Sequence, residues 1–118
     1  MCPRVDGRGN LAPVSPPDDV TAVLAELHRR IEARVLATVG REGLTLRGFA
    51  ERAGFGAAHL RRIIKGPRAD RPTSPSLAVL ARLAKACGLD TWQLIAPLTA
   101  ADLKAARSAA ADLGIDFE

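Results

Sequence analysis

The chain is poor in the residues that build β-sheets. Its 118 residues include no tyrosine, three phenylalanines and one tryptophan, while alanine and leucine (22 and 15) far outnumber valine and isoleucine (7 and 5). Strands favour β-branched and aromatic side chains, whereas alanine and leucine favour helices. We therefore expect an all-α fold, a compact bundle of five to six helices.

Cysteine and histidine are also scarce, which argues against several chemistries. Cys2 and Cys87 form no CxxC pair, and His28 and His59 have no nucleophile motif, metal-spaced cluster or phosphate-binding glycine loop around them. We expect a non-enzyme in a reducing cytoplasm, without metal, cofactor or small-molecule ligand, in which Cys87 is a small core residue. No apolar run approaches the roughly 20 residues of a membrane span, and no signal peptide is visible.

Positive charge is concentrated in one short segment. The net charge of the chain is +4, and residues 59–73 hold five basic side chains against Asp70 alone, so this segment carries the whole excess. The five are Arg61, Arg62, Lys65, Arg68 and Arg71. A polyanion should therefore be drawn to one place on the surface.

Three regions are predicted along the chain. Residues 1–17, with four prolines and two glycines, predict a flexible arm, whose Arg4 and Arg8 either contact DNA or belong to a disordered leader. Residues 18–98 predict the helical domain, and residues 99–118 predict a C-terminal helix and tail.

Apolar residues at three- and four-residue steps predict a long first helix, which Asp18 or Asp19 caps and which ends near Gly40. Its buried face should contain Val20, Val23, Leu24, Leu27, Ile31, Val35 and Val39. Its other face should be solvated, and it contains Glu26, Arg29, Arg30, Glu32 and Arg34.

The segment 44–66, LTLRGFAERAGFGAAHLRRIIKG, predicts two short helices joined by a sharp turn. Thr45 can cap a helix that runs to Ala53, and Gly54 can adopt the positive φ that ends it. The buried residues of this helix should be Leu46, Phe49, Ala50 and Ala53. A second helix follows Phe55 and Gly56, and its spacing buries Leu60, Ile63 and Ile64.

This segment resembles the helix-turn-helix of the lambda-repressor-like (Cro/Xre) family, which includes phage immunity-type repressors. The resemblance is carried by Phe49, Ala50, Ala53, Gly54, Phe55, Leu60, Ile63 and Gly66, and it continues through Ser74, Pro75, Ser76 and the run LAVLARLAKACGLDTWQLI. It covers roughly residues 33 to 96. Three positions depart from the family pattern: Leu46 stands where glutamine is frequent, Gly48 where an acid is usual, and Gly56 where serine is usual.

The resemblance implies a homodimeric transcription regulator that binds double-stranded operator DNA, most simply a repressor that occludes a promoter. Expected base-reading residues are Ala57, Ala58, Arg61, Arg62 and Lys65, and expected phosphate-binding residues are Thr45, Arg47, His59, Arg68, Arg71 and Thr73. The alternative is an antitoxin or adaptor that also binds a partner protein through its flanking helices.

Three more helices are predicted after the charged segment. The first begins with Ser74 as N-cap and Pro75 as first residue, and it buries Leu77, Leu80, Leu83, Ala84 and Cys87. Asp90 and Gln93 cap a short helix in which Trp92 should pack inward. Thr99 and Asp102 cap the last helix, where Leu103, Ala106, Ala110 and Leu113 form a narrow seam. This seam either mediates a dimer or packs back on the first helix.

Overall fold

A computed structural model describes residues 17–65 and 75–117, with residues 17–19 and Lys65 described in their backbone only. The six helices in these ranges are α1 (Pro17–Glu42), α2 (Leu46–Ala53), α3 (Ala57–Lys65), α4 (Leu77–Cys87), α5 (Thr91–Leu94) and α6 (Ala100–Leu113). No strand occurs in the same ranges, so the predicted all-α fold is confirmed. Among these helices, none combines the length and the apolar character that a bilayer span needs.

Helix α1 is the central element, because it is buried on two sides. Its Ile31, Val35 and Val39 belong to the main core, to which α2, α3, α4 and α5 contribute. Its Ala33 and Leu36 lie in a second, smaller core formed with α6. The members that α2 to α5 contribute to the main core are Phe49, Ala50, Ala53, Leu60, Ile63, Ile64, Leu83, Ala84, Ala86, Cys87 and Leu94.

The face of α1 that should have been solvated is largely covered. Glu32 is buried, and the Arg34 side chain is only 12% exposed. The Arg34 guanidinium donates hydrogen bonds to the carbonyl oxygens of Leu94 (3.3 Å), Ala96 (2.7 Å) and Pro97 (3.2 Å). The connection from α5 to α6 therefore crosses this face, and Arg34 satisfies three backbone carbonyls at the end of α5 and in that connection.

The first turns of α1 are more exposed than predicted. The helix begins at Pro17, ahead of the two aspartates expected to cap it, and Val20 and Val23 are 52% and 57% exposed. A helix of 26 residues is about 39 Å long. The four- to fourteen-residue helices packed against it cover its middle and its end, so its apolar stripe continues past the core.

Gly40 serves a close helix contact and does not end α1. The helix continues to Glu42, and Gly43 with φ +66° follows it. A Cβ atom on Gly40 would lie 2.9 Å from the Cβ atom of Ala109 in α6, closer than real Cβ atoms approach. The absence of a side chain at position 40 is therefore what admits α6.

Helix α6 packs on α1 within the same chain and runs in the same direction. Arg34 meets Asp102 and Gly40 meets Ala109, so both helices advance together toward their C-termini. Ala106 and Ala110 of the predicted seam are buried in this contact, Leu103 is half-buried and Leu113 is 37% exposed. A dimer contact through α6 stays a prediction, although two of its four residues are occupied within the chain.

Thr99 and Asp102 cap α6, as predicted from the sequence. The Thr99 hydroxyl accepts a hydrogen bond from the Asp102 N–H (3.1 Å), and the Asp102 carboxylate accepts one from the Thr99 N–H (2.9 Å). The hydrogen bond from the Thr99 backbone holds the pKa of Asp102 below its ordinary value of 3.8.

Helix α4 begins two residues later than predicted. Ser76 caps it by accepting the N–H of Val79 at 3.2 Å, and Pro75 precedes the cap. Leu77, expected to be buried, is 79% exposed, because the first turn of α4 extends beyond the core. Further along, Leu83, Ala84 and Cys87 are buried and Leu80 is half-buried, as the spacing predicts. Burial raises the pKa of the Cys87 thiol.

Helix α5 is a single turn, and its tryptophan faces outward. The Asp90 N–H donates to Oε1 of Gln93 at 2.8 Å, which is the predicted capping contact. Leu94 is fully buried, whereas Trp92 is 66% exposed, so the expectation of an inward tryptophan is wrong. Two residues span about 200° around a helix axis, so Leu94 and Trp92 point to opposite sides.

Candidate nucleic-acid interface

Helices α2 and α3 are joined by three residues that turn the chain sharply. The Thr45 hydroxyl accepts the Gly48 N–H at 2.9 Å and starts α2, as predicted. Gly54, with φ +85°, ends it, and the Phe55 N–H donates to the Ala50 carbonyl at 2.8 Å. A side chain at position 54 would be strained at this φ, so glycine fixes where the second helix begins.

The inner face of α3 holds it against the rest of the bundle. Leu60, Ile63 and Ile64 are buried, as the spacing predicts. The residue four positions after Ile63 is Pro67, which has no N–H, so the carbonyl of Ile63 cannot have the usual α-helical partner. The buried His28 of α1 supplies one, because its Nδ1 donates to this carbonyl at 2.8 Å. Nδ1 of His28 must carry a proton in this contact, since a carbonyl oxygen can only accept a hydrogen bond.

The outer face of α3 brings four of the five predicted base-reading residues together. Ala58, Arg61 and Arg62 are exposed and Ala57 is half-buried. The fifth, Lys65, ends the helix, and its side chain lies outside the described atoms.

The predicted phosphate-binding residues divide into two groups. Thr45 and Arg47, at the start of α2, and His59, on α3, are exposed. Arg47 and Arg61 line one groove of about 470 Å³ between the two helices, together with Leu46, Glu51, Phe55, Gly56 and Ala57. Residues Arg68, Arg71 and Thr73 lie outside the described residues, as do Arg4 and Arg8 of the predicted arm.

Electrostatic pairing distinguishes this face from α1. Arg47, Arg61 and Arg62 make no hydrogen bond or ion pair with any other residue that the structure describes. On α1, in contrast, Arg30 pairs with Glu26 at 2.9 Å and Arg34 with Asp102 at 3.4 Å. Arg47 and Arg61 lie on the α2 side of α3, and Arg62 lies on its other side beside His59. Three exposed guanidinium groups that no described residue engages form a surface that favours an external anion.

The C-terminal end of α1 shows the same contrast. Hydrogen bonds from Arg52 and then Arg41 hold the pKa of Glu42 below its ordinary value. Because it contacts Glu42, the Arg52 side chain is directed toward α1 and away from α3. The exposed arginines of α2 therefore serve two purposes: Arg52 joins α2 to α1, while Arg47 faces solvent beside α3.

Two residues that no sequence pattern had assigned to this site, His28 and Arg82, contribute to it. Phe55 lies edge-on to His59, with 5.3 Å between ring centroids, and the Arg82 guanidinium of α4 lies 5.8 Å from the Phe55 centroid. The turn between α2 and α3 is thus held from both sides. His28 and Arg82 come from other helices, and only the tertiary packing brings them to this end of the bundle.

No family model, no curated protein and no solved structure matches the chain.

Proposed function

We propose that the chain is a sequence-specific regulator of transcription that binds double-stranded DNA through α2 and α3. Support comes chiefly from one observation: Arg47, Arg61 and Arg62 are exposed on a helix pair whose turn fixes their relative position, and none of them is engaged by another described residue. Helix α3, nine residues long, fits the major groove, which is about 12 Å wide. In this arrangement α3 reads bases and the start of α2 contacts the phosphate backbone.

The side chains of α3 suit distinct contacts in the major groove. Arg61 and Arg62 each present a planar fork of donors that matches O6 and N7 of guanine. Ala57 and Ala58 are small enough to let the helix approach the base edges closely. Thr45, Arg47 and His59 lie at the border of this face and suit phosphate oxygens.

We further propose that two copies bind a two-fold operator and repress by occluding the promoter. One α3 presents too few side chains to specify a long site, and two helices placed about one DNA turn apart double the number of bases read.

Fluorescence anisotropy tests the proposal. A site selected from a random duplex library and an unselected duplex are titrated over a range of salt concentrations. We expect affinity for both to fall linearly on a logarithmic salt scale, because bound protein releases counterions from phosphates. The selected site should remain the tighter one throughout.

Two double variants of equal charge change separate base reading from general attraction. Arg61→Ala with Arg62→Ala should reduce the preference for the selected site by about 1–3 kcal/mol for each arginine. Lys104→Ala with Arg107→Ala, on the exposed side of α6, removes the same charge away from α3 and should leave the preference unchanged. Salt-independent binding, or an unchanged preference in the first variant, would show that α3 does not read DNA.

A further inference from the structure

The first turns of α1 carry an apolar stripe that stays largely exposed. Val20 and Val23 are 52% and 57% exposed, and Leu27 beside them is half-buried. These three residues, which we call the α1 stripe, have the spacing i, i+3 and i+7, so they lie along one side of the helix. The next residue, His28, is buried against the end of α3. The α1 stripe therefore lies directly beside the contact between α1 and α3.

The surface of the α1 stripe has the shape that receives a side chain from another helix. A groove of about 290 Å³ is lined by Ala22, Val23, Glu26, Leu27 and Arg30. The last four have the spacing i, i+3, i+4 and i+7, and four residues placed in this way form the hole into which a facing helix inserts one side chain. Among the described residues, α1 alone lines this groove. An apolar side chain on a second helix is the occupant that suits it.

The charges along α1 favour a second α1 that runs in the opposite direction. Residues 18 and 19 are aspartates, and Arg29 and Arg30 follow three turns later. Glu26 pairs with Arg29 at 3.7 Å and with Arg30 at 2.9 Å, and two positive charges against one negative leave a net charge of +1 at this end of the stripe.

The position of the groove brings the opposite charges together. The two aspartates precede Val23 by about one turn, and Arg30 lies about one turn beyond the middle of the groove. An antiparallel α1 with its Val23 in the groove therefore sets its acidic first turn beside Arg29 and Arg30. A parallel α1 would instead set aspartates beside aspartates, which repel each other.

We propose that the α1 stripe is the contact between two copies of this chain, paired antiparallel so that Val23 of each copy occupies the groove of the other. Such a contact is self-complementary, because each copy supplies the same stripe and the same groove. The dimer then needs no contact from α6, whose Ala106 and Ala110 are buried against α1. Since the stripe lies beside the His28 contact, this pairing also fixes the distance between the two α3 helices. Its role in operator binding rests on the proposed function, although the contact itself is measured without DNA.

The small size of the α1 stripe predicts a weak dimer. A standard interface buries about 800 Å² on each partner, and a few turns of one helix offer less. We therefore expect a dissociation constant in the micromolar range or above. Pairing should be tighter on a two-fold operator, because one duplex then holds both copies close together.

Sedimentation equilibrium of the full chain, without DNA, tests the contact directly. Between about 1 µM and about 1 mM, we expect a reversible equilibrium of monomer and dimer. Val20→Glu and Val23→Glu each place a charge against the apolar surface of the other copy, so each should weaken the dimer by at least about tenfold. Leu77→Glu and Trp92→Glu are matched controls at positions 79% and 66% exposed on α4 and α5, and they should leave the equilibrium unchanged.

The aspartates reveal the direction of pairing. Asp18→Asn with Asp19→Asn removes the attraction to Arg29 and Arg30, so an antiparallel dimer should weaken and depend less on salt. In a parallel dimer the same change would remove a repulsion and strengthen the pairing, which would overturn the proposed arrangement.

Three results would contradict the contact itself. A chain that stays monomeric up to about 1 mM has no such contact. A dimer that Trp92→Glu disrupts and Val23→Glu does not is formed by another surface. If Val23→Glu lowers the free energy of unfolding of the dilute monomer, residues of the same chain cover the stripe and the inference is equally wrong.

Failure of the proposed function gives a different result. The dimer would then form and respond to Val23→Glu as expected, while the wild-type chain would bind neither the selected nor the unselected duplex. Conversely, site-specific and salt-dependent DNA binding by a chain that never dimerises would leave α3 as the DNA reader and remove only the α1 contact.

Discussion

The close contact between α1 and α6 predicts that alanine at position 40 destabilises the protein, although alanine normally stabilises a helix. Alanine normally stabilises a helix by up to about 1 kcal/mol relative to glycine. At position 40, however, the new Cβ atom would lie 2.9 Å from that of Ala109, at least 0.5 Å inside the 3.4 Å at which ordinary contact begins. Both Cβ atoms are fixed to helical backbones, so no change of rotamer relieves the overlap and α6 must shift.

The two opposing effects give a magnitude. Overpacking of this kind costs about 1–3 kcal/mol, which outweighs the gain in helix propensity. We expect Gly40→Ala to lower the free energy of unfolding by about 1 kcal/mol, which corresponds to about 4 °C in Tm for a chain of this size. In a chain that already carries Ala109→Gly, the overlap is absent and the same change should raise the free energy of unfolding by up to about 1 kcal/mol.

Urea unfolding followed by circular dichroism measures all four chains of this cycle. The informative quantity is the change of sign between the two backgrounds, because it does not depend on the cost of Ala109→Gly itself. If Gly40→Ala stabilises the chain in both backgrounds, α1 and α6 do not approach each other as described here.

Two further predictions concern the cap of α6 and the anchor of α3. Folding lowers the pKa of Asp102, so the carboxylate stabilises the fold at pH values above its ordinary pKa of 3.8, and this contribution is lost as the pH falls through the lower pKa of the folded state. Asp102→Ala should therefore cost about 1 kcal/mol of unfolding free energy at neutral pH and make acid unfolding less steep. An unchanged acid-unfolding profile would contradict this cap. His28→Leu leaves the Ile63 carbonyl without its donor and should lower the free energy of unfolding in urea by about 1–3 kcal/mol. His28→Asn places an amide donor where Nδ1 lies and should cost less. Equal losses in the two variants would mean that His28 does not stabilise the protein through this hydrogen bond.

The local elements could be predicted because they depend on residues a few positions apart. Thr45 and Thr99 accept N–H groups three residues ahead of them, and Gly54 turns the chain by its own φ. The buried face of α3 follows from helical spacing for the same reason. The predicted base-reading face of α3 is the other side of that spacing, so most of its residues could be assigned before any tertiary contact was known.

Exposure could not be predicted in the same way. Helical spacing shows which residues share a face, but another element decides whether that face is covered. Val23 and Leu77 share faces with core residues, yet Val23 lies in the second turn of α1 and Leu77 in the first turn of α4, which no other described element covers. Arg34 lies on a polar face, yet the segment between α5 and α6 covers it, because its guanidinium satisfies carbonyls from that segment.

The sequence by itself determined the six helices, most of their caps, and the turn that sets α3 behind α2, since each depends on short-range hydrogen bonds and backbone freedom. Only the tertiary structure decided that α6 packs on α1 and that His28 and Arg82 contact α3 and the turn before it. It also decided that Leu46, Phe55 and Ala57 enclose a groove beside Arg61. These contacts join residues far apart in the chain, and the depth of a groove or the fit of two helices depends on distances that no spacing along the sequence contains.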